Sequence, residues 1–86
     1  SELSLSVYPN PMKNKGFFNF ILPEQDYVQI DIFNPLGRKV SRVFQGVLKK
    51  GNHLIPWNCH TLPSGVYFYR VLSKGRKKSG VFTIIR

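Results

Sequence analysis

The sequence predicts an all-β fold, a seven-stranded immunoglobulin-like antiparallel β-sandwich. Apolar residues alternate with polar ones in short runs, and Gly, Pro, Asn and Ser separate these runs. The runs recur at a spacing of roughly 8–12 residues, which is typical of a Greek-key sandwich. No helical period persists beyond about two turns. Because the chain has 86 residues, we expect a single domain over residues 1–86.

The first two strands are predicted at residues 3–8 and 17–22. In the first, apolar residues alternate with serine. Pro9-Asn10-Pro11 should end it, because two prolines so close together interrupt a ladder of backbone hydrogen bonds. In the second strand Phe18 and Phe20 share a face, so we expect at least one side of this strand to be buried.

The third and fourth strands are predicted to form a hairpin. Residues 28–32 carry the clearest period-two pattern of the sequence. Asn34-Pro35-Leu36-Gly37 fits a type I turn, and Gly37 suits a position that needs a positive φ or a tight turn. The fourth strand, residues 38–45, should therefore return antiparallel with Val40 facing the core.

The last three strands are predicted at residues 53–57, 66–72 and 79–85. Pro56 places the fifth strand at a sheet edge, because proline cannot donate to a central ladder. The sixth strand is a nearly continuous apolar and aromatic run, as expected of a central strand. Tyr67 follows a corner, where its hydroxyl could bond back to the backbone as in a tyrosine corner.

Packing alone accounts for the apolar and aromatic residues of the predicted core, so none of them needs a binding or catalytic role. One large aromatic residue, Trp57, should anchor the sandwich. The inward-facing positions are predicted to be Val7, Phe18, Phe20, Val28, Ile30, Ile32, Val40, Ile55, Trp57, Tyr67, Tyr69, Val71, Phe82 and Ile84.

The chain is strongly basic, with 13 Lys and Arg against four Asp and Glu and a formal net charge of +9. Such a charge favours association with phosphate, lipopolysaccharide, nucleic acid or acidic protein surfaces. No apolar run approaches the ~20 residues of a membrane-spanning helix. The lone Cys59 excludes an internal disulfide, and two histidines are too few for a Cys/His zinc site. We expect neither a metal nor a cofactor.

The residue types give little support to catalysis, and we expect no enzyme. Cys59 beside His60 suggests a nucleophile and base, with His53 as a further base, yet adjacent residues of an extended chain point to opposite faces. A small buried cysteine is the better interpretation. The four carboxylates are few for paired acid and base chemistry, and most of them should lie in turns or on outward faces: Glu2, Glu24, Asp26 and Asp31.

Two other binding functions remain open. Residues 15–21 partly match the ribonucleoprotein signature of RNA-binding domains, but the second aromatic is displaced by one residue, which moves it to the opposite face of the strand. An accessory module for carbohydrate or protein would need an exposed aromatic platform, such as Tyr27 with Phe33 or Phe17. The basic clusters 49–50 and 76–78 could grip phosphate or simply solubilise the chain and protect sheet edges.

The succession of motifs resembles one family, the C-terminal sorting domain of the type IX secretion system of Bacteroidetes. The resemblance covers nearly the whole chain, and five elements in order at consistent spacing make it specific. These elements are Tyr8-Pro9-Asn10-Pro11 with the following Phe-rich strand, residues 27–40 with their Gly-Arg-x-Val motif, residues 51–58, residues 62–71, and Ile84-Ile85-Arg86.

The resemblance implies a secretion signal at the C-terminus of a larger secreted protein. The outer-membrane translocon and its shuttle proteins recognise such a domain in the periplasm, and the cargo reaches the cell surface or the medium. A sortase-like cysteine protease then cuts the upstream linker and joins the cargo to anionic lipopolysaccharide. Ser1 would lie shortly after this cleavage region. A stable nucleic acid partner is not implied, and a homodimer through edge strands is left open.

The resemblance also assigns site residues. The last two strands and the terminal residues should form the recognition surface, with Arg76, Lys77, Lys78 and Arg86 as candidate contacts of the translocon. The positions that match the sorting motifs are Pro9, Asn10, Pro11, Gly37, Arg38, Val40, Gly51, Trp57, Leu62, Gly65, Val66 and Tyr67.

Overall fold

The computed structural model describes residues 3–86, so Ser1 and Glu2, and the expectations placed on them, lie outside the described residues. Within this range the chain forms seven strands and no helix, which confirms the all-β prediction. No helix that could cross a membrane occurs in this part of the chain. The strands are β1 (Ser4–Lys13), β2 (Lys15–Leu22), β3 (Asp26–Phe33), β4 (Lys39–Leu48), β5 (Gly51–Asn58), β6 (Gly65–Ser73) and β7 (Arg76–Ile84).

The strands form two sheets that pack as a sandwich. The larger sheet has the order β4-β3-β6-β7, and all its pairs are antiparallel. The smaller sheet has the order β1-β2-β5, also antiparallel. As predicted, β6 is central, and β5 with its Pro56 lies at a sheet edge. One contact is parallel, the pairing of Met12 in β1 with Ile84 in β7.

The first strand does not end at its prolines, which corrects the sequence-based prediction. β1 continues to Lys13, and its regular pairing with β2 stops at Tyr8. The strand then crosses to the larger sheet, where Met12 pairs with β7. Pro9 and Pro11 lie in this crossing segment, where no ladder requires the N–H that proline lacks. The two prolines therefore mark a change of sheet.

Val40 does not face the core, so this prediction was wrong. Its side chain is 36% exposed, and the register between β3 and β4 shifts twice, between Ile30 and Asp31 and again between Ile32 and Phe33. Phe33 pairs with Lys39 and Ile32 with Ser41, which leaves Val40 as the extra residue of a bulge. A bulge interrupts the alternation from which the inward direction was inferred. Ser41 takes the inward position instead.

Aromatic side chains from both sheets fill the core. Phe18 of β2 makes edge-on contacts with Trp57 of β5 and with Tyr69 and Phe82 of the larger sheet, at ring-centroid distances of 6.0, 6.0 and 6.4 Å. Such pairs add about 0.5–1.5 kcal/mol each beyond the area they bury. Trp57 Nε1 also donates a hydrogen bond to Ser41 Oγ at 3.2 Å. The predicted anchor role of Trp57 is confirmed.

The last hairpin turns within two residues, so β7 begins three residues earlier than predicted. Lys74 and Gly75 both have positive φ, at 42° and 78°, and Ser73 pairs directly with Arg76. Positive φ at both central residues is the geometry of a type I′ turn, which matches the twist of the flanking strands. The register of β6 with β7 then continues without a bulge to Gly65 and Ile84.

Candidate functional site

Most of the motif residues predicted from the sequence meet near one end of the sandwich. At this end β3 finishes, β6 begins and β7 finishes, because neighbouring strands of the larger sheet are antiparallel. The turn between β1 and β2 joins them, since the Cys59 N–H donates to the Asn14 carbonyl at 2.7 Å. Gly51 is an exception, because it pairs with Leu22 at the other end of the sandwich.

Asn10 ties the first strand to the last. Its Oδ1 accepts a hydrogen bond from the Thr83 N–H at 3.0 Å. Two residues further along both strands, the Ile85 N–H donates to the Met12 carbonyl at 2.9 Å. The asparagine side chain thus replaces a backbone carbonyl where the crossing segment lies too far from β7 for regular pairing. Pro9 and Pro11 flank it and are exposed.

The turn between β3 and β4 is organised by Asn34. The Gly37 N–H donates to the Asn34 carbonyl at 2.9 Å, as expected of a type I turn. Asn34 Oδ1 accepts from the backbone N–H groups of Leu36 and Arg38, both at 3.0 Å. Gly37 has a φ of 82°, which favours glycine and confirms the expectation. Arg38 therefore contributes its backbone to the turn, and its side chain is exposed.

Tyr67 forms the predicted tyrosine corner. Its hydroxyl donates to the Pro63 carbonyl at 2.7 Å, and its ring is buried against Phe82. Leu62 is half-buried, packs against the core and donates its N–H to the Cys59 carbonyl at 3.0 Å. Val66, by contrast, is exposed on the outer face. Two of these three motif positions, Leu62 and Tyr67, therefore bind the loop that precedes β6.

Arg86 closes the same end of the molecule. Its Nε donates to the Leu62 carbonyl at 3.0 Å, and Nη1 donates to Asn14 Oδ1 at 3.0 Å. Nη2 contacts the carbonyls of Leu62 and Cys59. The guanidinium thus joins the loop before β6 to the turn after β1, and it is not a free cation in this structure.

The Cys59 thiol is not paired with a base. It is fully buried, and burial raises its pKa although the nearby Arg86 lowers it. His60 Nδ1 contacts the side chain of Asn58, and His53 Nε2 lies 2.6 Å from the Lys49 carbonyl near the start of β5. The interpretation of Cys59 as a small buried residue is confirmed. In residues 3–86 no three His, Cys, Asp or Glu side chains lie close enough to hold a metal ion.

The four candidate contact cations do not form one cluster. Arg76, Lys77 and Lys78 lie at the start of β7, whereas Arg86 follows its end, roughly 25–35 Å away along an extended strand. Arg76 makes a long ion pair with Glu24, with Nη2 and Oε2 3.8 Å apart. Lys77 and Lys78 are exposed. The structure therefore offers a basic patch at residues 76–78 and a separate, occupied arginine at the other end.

A buried carboxylate on the outer face of the larger sheet was missed by the sequence-based interpretation. Asp31 belongs to the outward row of β3, yet its side chain is completely buried. It accepts hydrogen bonds of 2.8 Å from Arg42 Nε and from Gln29 Nε2. Lys39 and Arg70 approach it at 3.9 and 3.8 Å.

The surroundings of Asp31 hold it in the charged form. Burial raises its pKa, but hydrogen bonds from Arg42 and Gln29 and the positive charges of Arg42 and Lys39 leave the pKa below its ordinary value. The alternating sequence of β3 and the cations of β4 could have indicated this cluster. The bulges in β4 decide which of these cations face Asp31, and they were not foreseen.

The aromatic platforms considered from the sequence are not assembled. Phe18 and Phe20 are buried in the core, so their faces are not available to stack on bases. Tyr27 and Phe33 share the outer face of β3 but lie roughly 20 Å apart along it. Phe33 is also covered by the Arg70 guanidinium, 4.8 Å from its ring centroid. Phe17 belongs to the other sheet.

The comparison with protein families agrees with this arrangement of motifs. The model of the secretion system C-terminal sorting domain family matches residues 6–85, which is nearly the whole chain. The chain belongs to this family. The comparison with curated proteins found no match to the chain.

The family membership gives the sorting domain its general function. It is a C-terminal sorting signal of the type IX secretion system, which implies export across the outer membrane to the cell surface or the extracellular space. The signal implies interaction with the type IX machinery, and Bacteroidetes are the implied bacterial group. The family is one of secretion signals and not of enzymes.

Proposed function

We propose that this sorting domain is the single C-terminal domain of a larger secreted protein and that the outer-membrane translocon recognises it in folded form. The observation that supports recognition of the folded domain is that several motif side chains are engaged in holding the fold together. Asn10 and Tyr67 bond to backbone groups at 3.0 and 2.7 Å, and Trp57 is buried in the core. These residues build the surface that the machinery meets, so the translocon has no need to contact each of them.

The start of β7 is the proposed contact surface for the translocon and its shuttle proteins. Lys77 and Lys78 are exposed there, and the chain as a whole carries a formal net charge of +9. A field of this sign attracts acidic protein surfaces and speeds the encounter with them. Arg86 has a structural role in this proposal, because its contacts with Leu62 and Asn14 hold the end of β7 in place.

The domain itself catalyses nothing in this proposal. A sortase-like cysteine protease removes it by cutting the linker upstream of the domain and attaches the cargo to anionic lipopolysaccharide. The thiol of Cys59 is buried, the ring nitrogens of His60 and His53 contact Asn58 and the Lys49 carbonyl instead, and burial raises the thiol pKa, which does not suit a nucleophile. The domain passes through the periplasm with its cargo and is discarded at the cell surface.

Secretion of a fused reporter tests the proposal. A fluorescent protein with an export signal is followed by residues 1–86 and expressed in a bacterium that has the type IX system. We expect the reporter to reach the surface or the medium. Removing residues 76–86 should leave a fluorescent reporter in the periplasm, because β7 carries both the basic patch and the pairing with β1.

The charge of the basic patch is tested separately with Arg76→Gln, Lys77→Gln and Lys78→Gln combined. A matched control exchanges two other exposed cations, Lys49→Gln and Lys50→Gln. We expect the patch variant to lose secretion and the control to keep it. Secretion that persists after removal of residues 76–86 would contradict the sorting function, whereas equal secretion of both glutamine variants would contradict only the proposed contact surface.

The processing step is tested on the secreted product. We expect the reporter from the intact fusion to lack residues 1–86 by mass spectrometry and to migrate as a lipopolysaccharide conjugate on the cell surface. In a strain without the sortase-like protease, the full-length fusion should persist. A secreted reporter that retains the domain in the parent strain would contradict the proposed cleavage.

A further inference from the structure

One edge of the larger sheet is open along β7. On one side β7 pairs with β6 over its whole length without a bulge. On the other side it pairs with β1 at Met12 and Ile84, and Asn10 bonds to Thr83. In the described residues no strand pairs with this side before Thr83. The segment from Lys77 to Val81, named here the open edge, is therefore a straight strand with one side unpaired.

The direction of the backbone groups follows from the contacts with β1. The N–H groups of Thr83 and Ile85 both point towards β1. Backbone N–H groups alternate in direction along a regular strand, so those of Lys77, Ser79 and Val81 point to the same side. At the open edge they face outward, and the carbonyls of the same residues face outward with them.

The other sheet edges are less suited to receive a strand. β4 carries two register shifts, and bulges break the straight ladder that an added strand needs. β5 contains Pro56, which has no N–H to offer. The free side of β1 covers only the five residues before Pro9. The open edge of β7 is the one regular edge that remains in residues 3–86.

Charge decides which strand can occupy the open edge. Lys77 and Lys78 lie side by side on it, exposed on opposite faces of the sheet. A second copy of this edge would gather four lysines, two from each chain, on one short pair of strands, and like charges in adjacent strands destabilise their pairing. An extended strand with acidic side chains on both faces would meet a lysine on each. The lysines thus reject a second copy and favour an acidic strand.

We propose that the open edge of the sorting domain takes up an extended, acidic segment of a partner protein by β-strand addition. This proposal rests on the proposed function, because the partner is then a component of the secretion machinery. Backbone bonds to Lys77, Ser79 and Val81 supply the affinity, and the two lysines supply the preference for acid. The start of β7, proposed as the contact surface because of its charge, would thus bind its partner through backbone hydrogen bonds as well.

Proline and alanine at Ser79 separate backbone pairing from side-chain contact. Ser79→Pro removes the outward N–H, and an edge strand tolerates proline where that group faces solvent. Ser79→Ala keeps the N–H and removes only the hydroxyl, so it is the matched control. Circular dichroism and thermal unfolding establish that both variants are folded. If Ser79→Pro is unfolded, Lys77→Glu with Lys78→Glu takes its place as the binding-deficient variant.

The probe is an acetylated and amidated peptide, Glu-Glu-Val-Thr-Val-Glu-Glu, which carries acid on both faces when extended and is added to the 86-residue chain. We expect slower amide exchange at Lys77, Ser79 and Val81 in nuclear magnetic resonance spectra, because these N–H groups become hydrogen-bonded. The same pattern with lysine for glutamate should give no protection. Loss of the outward backbone hydrogen bonds in Ser79→Pro should weaken binding about tenfold. If these amides exchange equally fast with millimolar acidic peptide present, the proposal that an acidic strand binds the open edge is wrong.

Secretion of the fused reporter completes the test. We expect Ser79→Pro to block secretion and Ser79→Ala to leave it unchanged. If a folded Ser79→Pro variant is secreted as well as Ser79→Ala, while removal of residues 76–86 still stops secretion, strand addition is wrong and the sorting function stands. If removal of residues 76–86 has no effect, the proposed function itself fails.

Discussion

Asp31 and Arg42 form a 2.8 Å charge-assisted hydrogen bond on the outer face of the larger sheet. The carboxylate is fully buried although its strand position faces outward, because cationic side chains and Gln29 cover it. The outer face therefore has a polar structure of its own, separate from the aromatic core on the other side of the sheet.

The stability of the domain should depend on pH through Asp31. Burial raises the pKa of this carboxyl, but its hydrogen bonds and cationic neighbours leave it below the ordinary value. A depressed pKa in the folded state gives stability that is present above the unfolded pKa of about 3.9 and is lost as pH falls through the folded pKa. In Asp31→Asn this part of the acid dependence should disappear. Urea unfolding at a series of pH values from about 7 to 2 measures it.

At neutral pH Asp31→Asn should lower the free energy of unfolding by about 1–2 kcal/mol, less than a fully buried ion pair would cost, because the cationic partners are partly exposed. Glu24→Gln is the matched control, since Glu24 is exposed and its ion pair with Arg76 is long, at 3.8 Å. It should cost little. An equal loss of unfolding free energy in the two variants would show that the buried ion pairs of Asp31 stabilise the fold no more than the exposed pair of Glu24 does.

Removal of the Tyr67 hydroxyl should weaken the corner before β6. Tyr67→Phe keeps the ring against Phe82 and loses the 2.7 Å bond to the Pro63 carbonyl. We expect a loss of about 1 kcal/mol in the free energy of unfolding, the typical net contribution of such a bond. Tyr8→Phe, at an exposed ring, should leave the stability unchanged. A stability equal to that of the parent in Tyr67→Phe would argue against the corner bond.

Arg86 should protect the thiol of Cys59 from alkylation. Its guanidinium holds the carbonyls of Cys59 and Leu62 and the side chain of Asn14, so Arg86→Ala frees this loop to open. We expect iodoacetamide to modify Cys59 about tenfold faster in the variant, which corresponds to the loss of roughly 1.4 kcal/mol of local stability. Arg38→Ala, at an exposed arginine of another turn, should keep the parent rate. Mass spectrometry over time gives both rates.

A methyl group at Gly80 should collide with the ring of Tyr69. The position of a Cβ at Gly80 overlaps the hydroxyl end of this ring, which packs edge-on against Phe18. Gly80→Ala should therefore cost about 1–3 kcal/mol by overpacking. Ser79→Ala on the next, outward position should be nearly neutral. In a Tyr69→Val background the cost of Gly80→Ala should shrink, and an unchanged cost there would exclude the collision as its cause.

The sequence predicted the positions that depend on local pattern. The period-two alternation located the buried strands, residue type indicated the roles of Trp57 and Cys59, and a position just after a turn indicated the role of Tyr67. The errors fall where strands leave regular pairing. Val40 lies at a bulge, and β1 passes its prolines by changing sheets. Both depend on partners that are distant along the chain, which alternation does not report.

The candidate site divides in the same way. The motif residues and the basic patch were visible in the sequence, but the occupied state of Arg86 follows only from its contacts with Leu62 and Asn14. The carboxylate of Asp31 was assigned to an exposed face, because its cover comes from Arg42 on a bulged strand. The open edge likewise became apparent only when the pairing of β7 was known.

The pairing of Met12 with Ile84 joins the first strand of the described chain to its last. As the chain is made from its N-terminus, the part of β1 between Tyr8 and Lys13 has no strand partner until Ile84 has been added. A product that stops before β7 keeps that part of β1 unpaired and leaves one side of β6 open. The same contact that closes the sandwich therefore distinguishes a chain that includes β7 from one that stops before it, and a machinery that requires the closed form exports only chains with β7 in place.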